Sequence, residues 1–187
     1  MSNLPVLTID EKSYLLNLAR EVIHNRCTGK DFSRPSIFSD NLKTKLGVFV
    51  SLHLGKELRG CIGYVRGIKS LQDAVIDMAE SAAFNDPRFL PVTSSELDAL
   101  TIEISVLSEL ERLKDTNDLQ VGTDGLLIEK GIFSGLLLPQ VAVEFNWDRE
   151  TFLSQTCGKA GLPYDEWQSG NCTIFKFTAA IFSELDT

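Results

Sequence analysis

Apolar positions recur along this chain with two different periods, and the switches between the periods mark out its elements. From Thr8 onward, Leu15, Leu18, Ala19, Val22 and Ile23 fall at the three- and four-residue spacing of one helix face. Thr8 with Glu11 forms the capping box that starts such a helix, and Gly29 stops it. Residues 46–54 and 58–65, rich in valine, isoleucine and aromatics, read as two strands of a hairpin turning at Gly55-Lys56. Ser70 caps a second helix whose Leu71, Ala74, Val75, Met78, Ala79 and Ala82 make an apolar stripe that packs on a sheet. Thr101-Ile102-Glu103-Ile104-Ser105-Val106 alternates strictly, as a half-buried strand does, and residues 125–129 with 132–137 predict another hairpin. Pro139 suits the first turn of a short helix carrying Val141, Ala142 and Phe145. A helix from Asp148 turns Phe152, Leu153, Thr156 and Cys157 inward and ends at Gly161-Leu162-Pro163, and residues 173–178 form a closing strand. Strands joined mostly by hairpins, with helices between the groups, predict an α+β fold: a mixed, largely antiparallel sheet packed with helices.

No repeat, charge block or Pro/Gly/Ser-rich linker divides the 187 residues, although residues 29–40 form a polar stretch over the surface, so the expectation is a single domain spanning 1–187. No window approaches the roughly 20 apolar residues that cross a bilayer. Met1-Ser2-Asn3-Leu4-Pro5 lacks the pattern of a secretory signal, and the expected location is the cytoplasm. The net charge of −8 opposes nucleic-acid binding, which draws on lysine and arginine to displace condensed counterions. Lys43, Lys45, Arg66 and Lys69 are scattered and read as solvated surface.

Cys27, Cys61, Cys157 and Cys172 form no C-x-x-C pair and read as free thiols. With only His24 and His53, a metal site would have to recruit carboxylates from unrelated segments, so none is expected. P-loop, G-x-G-x-x-G, G-x-S-x-G and H-E-x-x-H signatures are all missing, which removes the usual support for nucleotide-dependent and standard hydrolase mechanisms and implies no cofactor.

The densest candidate chemistry lies at Leu58-Arg59-Gly60-Cys61-Ile62-Gly63. Strand alternation puts Arg59 and Cys61 on one side, where a guanidinium favours the nucleophilic thiolate. Gly60 and Gly63 weaken a strand but admit a ligand or another backbone. The competing structural reading is a small core thiol beside packing glycines. Hairpin register decides whether His53 assists. A three-residue loop, Gly55-Lys56-Glu57, sets His53 and Ser51 across from Arg59 and Cys61, whereas a two-residue turn makes Leu52 and Val50 their partners. The hydrophobic pattern favours the first, turn chemistry the second, and a bulge reconciles them. A second candidate is Asn85-Asp86-Pro87-Arg88-Phe89-Leu90-Pro91, in which Asp86 and Arg88 either pair with each other or send Arg88 to an anionic ligand.

The Leu58-Arg59-Gly60-Cys61-Ile62-Gly63 segment resembles the AMMECR domain family, whose bacterial and archaeal members are called AmmeMemoRadiSam system protein A. Phe49-Val50-Ser51-Leu52-His53, Asp86-Pro87-Arg88-Phe89, Gly125-Leu126-Leu127-Ile128, Gly135-Leu136-Leu137-Leu138-Pro139-Gln140-Val141-Ala142 and Lys159-Ala160-Gly161-Leu162-Pro163 before Trp167 match in order, so the resemblance covers nearly the whole chain. It implies a mixed α/β fold with a large and a small subdomain and a functional cleft near residues 58–63. As partners it implies a Memo-like protein and a radical-SAM enzyme. The chain is neither of these itself, having no C-x-x-x-C-x-x-C run and too few histidines for a Memo-like metal centre. Two functions are compatible with the residues. One is a modification-pathway component with Cys61 as nucleophile or redox thiol, Arg59 tuning it and His53 as base; the other is a non-catalytic module in which Arg59, Gly60, Gly63, Asp86 and Arg88 bind an anionic ligand or a partner protein. A translation-associated, nucleic-acid-binding role, sometimes suggested for the family, is opposed by the charge.

Overall fold

The computed structural model describes Leu4 and residues 6–186. Residues 1–3 and Pro5, on which most of the expectation of no secretory signal rests, lie outside them. The fold is α+β, with a larger and a smaller compact unit. Of the described residues, 6–107 and 180–186 make the larger, and Leu4 with Ser108–Ala179 makes the smaller.

In the larger unit, α1 (Ile9–Thr28) starts where the capping box is complete: the Glu11 N–H donates to Thr8 Oγ1 at 3.2 Å and the Thr8 N–H donates to Glu11 Oε2 at 2.8 Å. Gly29 ends it at φ 69°, a left-handed value that costs glycine nothing. Glu11 is buried, and its carboxylate also accepts hydrogen bonds from Ser39 and Asn41, which tie down the start of the short α2 (Asp40–Lys43). The hairpin is β1 (Gly47–Leu54) and β2 (Glu57–Tyr64), followed by α3 (Leu71–Phe84) under its Ser70 cap and by β3 (Leu100–Leu107). With β8 (Ala179–Ser183) these strands form a sheet in the order β2-β1-β3-β8. Val48, Val50 and Leu52 of β1 and Ile102, Ile104 and Val106 of β3 are fully buried on the face that meets α1 and α3.

At the hairpin tip, turn chemistry and pattern each govern a part. Gly55 takes φ 61° in a two-residue turn that pairs Leu54 with Glu57 and His53 with Leu58. Past a bulge at Leu52/His53, Leu52 pairs with Gly60, Ser51 with Cys61 and Val50 with Ile62, so Arg59 is the extra residue. The bulge restores the apolar face that the turn alone would have inverted.

The smaller unit holds the sheet β4-β7-β5-β6: β4 (Glu111–Arg112), β5 (Gly125–Lys130), β6 (Phe133–Leu137) and β7 (Thr173–Phe177). After α4 (Pro139–Glu144), α5 (Arg149–Lys159) packs on β5 and β6. Phe152, Leu153, Thr156 and Cys157 are all fully buried, the first two and Cys157 against Leu126 and Ile128.

The strands therefore divide between two sheets, and every pairing whose register is described is antiparallel. The strand expected over residues 173–178 is β7, and a further strand that was not expected, β8, follows it: only Thr178 separates the two, its N–H donating to Ser108 Oγ and its carbonyl accepting from the Ser108 N–H, both at 2.9 Å. No glycine or proline marks that break. Among the described residues no helix is long and apolar enough to cross a membrane, and no group of three or more His, Cys, Asp and Glu is placed to hold a metal ion.

Candidate functional site

β2 is an edge strand, and an edge exposes backbone donors and acceptors that need partners. At Cys61 these partners are side chains from the loop after α3. The Cys61 N–H donates to Asp86 Oδ2 at 2.9 Å, and its carbonyl accepts from Arg88 Nη2 at 3.1 Å. Asp86 also accepts from the Arg88 backbone N–H (3.1 Å), Nε (2.9 Å) and Nη2 (2.7 Å). The carboxylate is almost wholly enclosed, at 1% side-chain exposure, while Arg88 keeps 49%. The Arg88 guanidinium holds the Asp86 carboxyl far below the ordinary carboxylate range, aided by the Cys61 and Arg88 N–H groups and opposed by burial. Asp86 and Arg88 thus act together as a side-chain substitute for the missing neighbour strand.

Both backbone groups of Cys61 point away from β1, so Cys61 and Ser51 are a pair without mutual backbone bonds, the closer kind, with Cα atoms ~4.5 Å apart. Their side chains touch: Ser51 Oγ donates to Cys61 Sγ at 3.2 Å. On its other side Ser51 pairs with Glu103 of β3, and His53 pairs with Thr101. Alternation therefore sets Cys61, Ser51, His53, Glu103 and Ser105 on one face, opposite the face that meets α1 and α3. Ser51 and Ser105 are buried, at 7% and 1% exposure. His53 Nε2 and Ser105 Oγ are enclosed and have no hydrogen-bond partner among the described residues.

The electrostatics of this face differ from an activated-thiol arrangement. Burial pushes the Cys61 thiol up; the Ser51 hydrogen bond and the Arg88 charge pull it down, and the Asp86 and Glu103 charges raise it further. The net shift is upward, so the resting thiol is protonated at neutral pH. Glu103 is raised by burial and by Asp186, against a lowering by His53.

The expected tuning of Cys61 by Arg59 is absent. As the bulged residue, Arg59 turns to Glu96, with Nε 2.7 Å from Oε1, and Nη2 donates to the Pro91 carbonyl at 3.3 Å. Glu96 is pushed down to about 2, chiefly by Arg59 and then by the Thr93 N–H. The arginine that bears on Cys61 is Arg88. His53 shares the face of Cys61 but faces Leu58 across the hairpin. The two glycines do not open a floor. A Cβ on Gly60 would lie 2.2 Å from the Ala82 carbonyl oxygen of α3, and one on Gly63 would lie 2.3 Å from the Phe49 ring. The structure brings Cys61, Asp86 and Arg88 together and adds Ser51, Glu103 and Ser105. Glu103 and Ser105 were already marked by the strict alternation of residues 101–106, which sets them opposite the isoleucines; only the strand order places that face beside Cys61.

A family model described as AMMECR1 matches residues 16–182. Protein MJ0810 of Methanocaldococcus jannaschii is 42% identical, the match covering 97% of this chain and 94% of that protein. Protein PH0010 of Pyrococcus horikoshii is 45% identical, with 91% and 88% covered. The crystal structure of the uncharacterized protein PH0010 from P. horikoshii superposes with a TM-score of 0.87 at 44% identity, covering 92% of this chain and 91% of that one.

Proposed function

This chain belongs to the AMMECR1 family, and on that premise we propose that it is a cytoplasmic component of a modification pathway working beside a Memo-like protein and a radical-SAM enzyme, with the sheet face around Cys61 as its functional site. The observation that carries the site is a pair of enclosed polar atoms without partners among the described residues, His53 Nε2 and Ser105 Oγ, on the same face as Cys61. Leaving such atoms unpaired costs roughly 1–3 kcal/mol each, a cost that a bound ligand with complementary groups removes.

Cys61 in this reading is a guarded thiol, neutral at rest and committed only when a ligand is present. A binding role without covalent chemistry is the second reading, favoured by the upward shift of the thiol. An anionic ligand or a partner's acidic group would then be met by Arg88, whose side chain is half exposed.

Alkylation of the four cysteines, followed residue by residue by mass spectrometry across pH, tests the site. Cys61 is expected to react with a midpoint above the ordinary thiol value of 9.0, and faster at high pH than Cys157, which is fully buried. Rapid reaction well below that value identifies a resting thiolate and removes the guarded-thiol reading. Inertness at every pH, matching Cys157, makes Cys61 a packing residue and removes the site. The pathway assignment is tested separately, by titrating the purified Memo-like and radical-SAM proteins into the full chain by calorimetry; binding to neither rejects it.

A further inference from the structure

Cys61, Ser51 and Glu103 stand in a row across three adjacent strands, on one face and in direct register. The Ser51–Glu103 step is the wider kind of antiparallel pair, ~5.5 Å between Cα atoms, because the Ser51 backbone groups turn toward β3. Serine is both donor and acceptor, and its hydroxyl hydrogen rotates about the Cβ–Oγ bond. Donated to Cys61 Sγ, as here, it steadies the sulfur. Turned toward Glu103, it leaves oxygen lone pairs for the thiol proton. The row thus has the parts of a proton relay with a thiol at one end and a carboxylate at the other.

We infer that Glu103 is the proton-accepting end of this row, acting on Cys61 through Ser51, and that the site takes a ligand with an electrophilic carbonyl carbon. The inference rests on the Cys61 face being the functional site. The Cys61 S–H proton passes to Ser51 Oγ as the Ser51 hydroxyl proton passes to the Glu103 carboxylate. Sulfur's electron pair forms the S–C bond, and the carbonyl π pair moves onto oxygen, which takes the proton back from Glu103. No oxidant or reductant enters this balance. Ser105 Oγ, two residues along β3 from Glu103, and His53 Nε2 are polar atoms on the same face, without partners among the described residues, with which a ligand oxygen can hydrogen-bond. A carbonyl ligand also suits a face whose neighbouring cation, Arg88, is engaged by Asp86.

The charged and titratable groups bearing on Cys61 are Arg88 and Asp86 from the loop after α3 and Glu103 from β3; those bearing on Glu103 are His53 from β1 and Asp186 after β8. This gives Glu103→Gln opposite signs under two roles. If Glu103 is only a nearby negative charge, its removal frees thiolate, and Cys61 alkylation at pH 7 speeds up. If Glu103 accepts the proton, the same variant slows.

The probe is chloroacetamide, whose C–Cl bond breaks as the S–C bond forms, used on the full chain at pH 7 with the rate read at Cys61 by mass spectrometry. The expected result is a fall of about tenfold in Glu103→Gln, at the low end of what general-base assistance supplies. In a Ser51→Ala background the same change should have no further effect, since the relay is already cut. A rate that rises in Glu103→Gln, or falls equally with and without Ser51, overturns the relay. Wild-type Cys61 that never reacts overturns instead the underlying site, so the two failures are told apart. Unchanged melting of Glu103→Gln shows that the fold is intact; if the variant melts early, Glu103→Asp, which keeps the carboxylate at shorter reach, is expected to retain more of the rate than Gln, and equal rates reject the relay.

Discussion

Asp86→Ala is expected to destabilise the larger unit by about 3 kcal/mol at pH 7, because it strands several donors at once and leaves Arg88 without its counter-charge. The Cys61 N–H and the Arg88 N–H both lose their acceptor, and the Cys61 carbonyl loses the arginine that Asp86 holds in place. Arg88→Ala should cost a comparable amount, about 2–3 kcal/mol, because it leaves the enclosed Asp86 carboxylate without its counter-charge, although water can enter where the half-exposed guanidinium stood. The pH dependence has a definite sign. Asp86 titrates lower in the folded state than its ordinary value of 3.8, so its contribution is present in full above about that value and is lost as pH falls toward the folded pKa. The stability gap between wild type and Asp86→Ala should therefore narrow below pH ~4. Urea unfolding at pH 7 and pH 3 measures both gaps. A gap of the same size at both pH values rejects the ionic account, and a gap under about 1 kcal/mol at pH 7 rejects the clamp itself.

What was legible in the residues and what was not follows from the range of each interaction. The capping box at Thr8 and Glu11 and the stop at Gly29 involve neighbours three or four positions apart, and both are where the spacing puts them. The inward set of α5 follows from helical period alone. At the β1–β2 tip, two local rules conflicted, and the molecule satisfies both by ejecting Arg59 into a bulge. That ejection is also why Arg59 misses Cys61: a bulge re-aims its residue, and the aim here is Glu96, 37 positions away, whose presence no spacing near residue 59 announces. Arg88 reaches Cys61 from 27 positions away by the same kind of long-range closure. Sequence pattern could pair Asp86 with Arg88 but could not show that the pair caps a sheet edge, because which strand is the edge is a property of strand order. Gly60 and Gly63 were marked as places of close approach, and the identity of what approaches, a helix carbonyl and a phenyl ring, depends on packing.

Gly60→Ala is expected to lower stability by about 3 kcal/mol and the melting temperature by roughly 6–12 °C. Gly60 sits where the last turn of α3 crosses β2, and a Cβ there would lie 2.2 Å from the Ala82 carbonyl oxygen and 3.1 Å from its carbon. The obstacle is backbone, so no rotamer change relieves it, and ordinary contact requires the helix end to retreat by on the order of 1 Å. Against this, alanine restricts the unfolded chain and fits a strand better than glycine, a gain of about 0.4–1 kcal/mol that leaves the clash dominant. Ala82→Gly should not rescue the variant, because it removes a methyl group and leaves the carbonyl in place. The displacement also reaches the site: α3 ends at Phe84, Asp86 follows two residues later, and a retreating helix end loosens the clamp on the Cys61 backbone. Cys61 in Gly60→Ala should therefore alkylate faster than in wild type while Cys157, in the smaller unit, keeps its rate. Differential scanning calorimetry with residue-resolved alkylation reads both effects. A melting shift under about 2 °C would mean that α3 yields at little cost, and an unchanged Cys61 rate in a destabilised variant would separate the helix contact from the site.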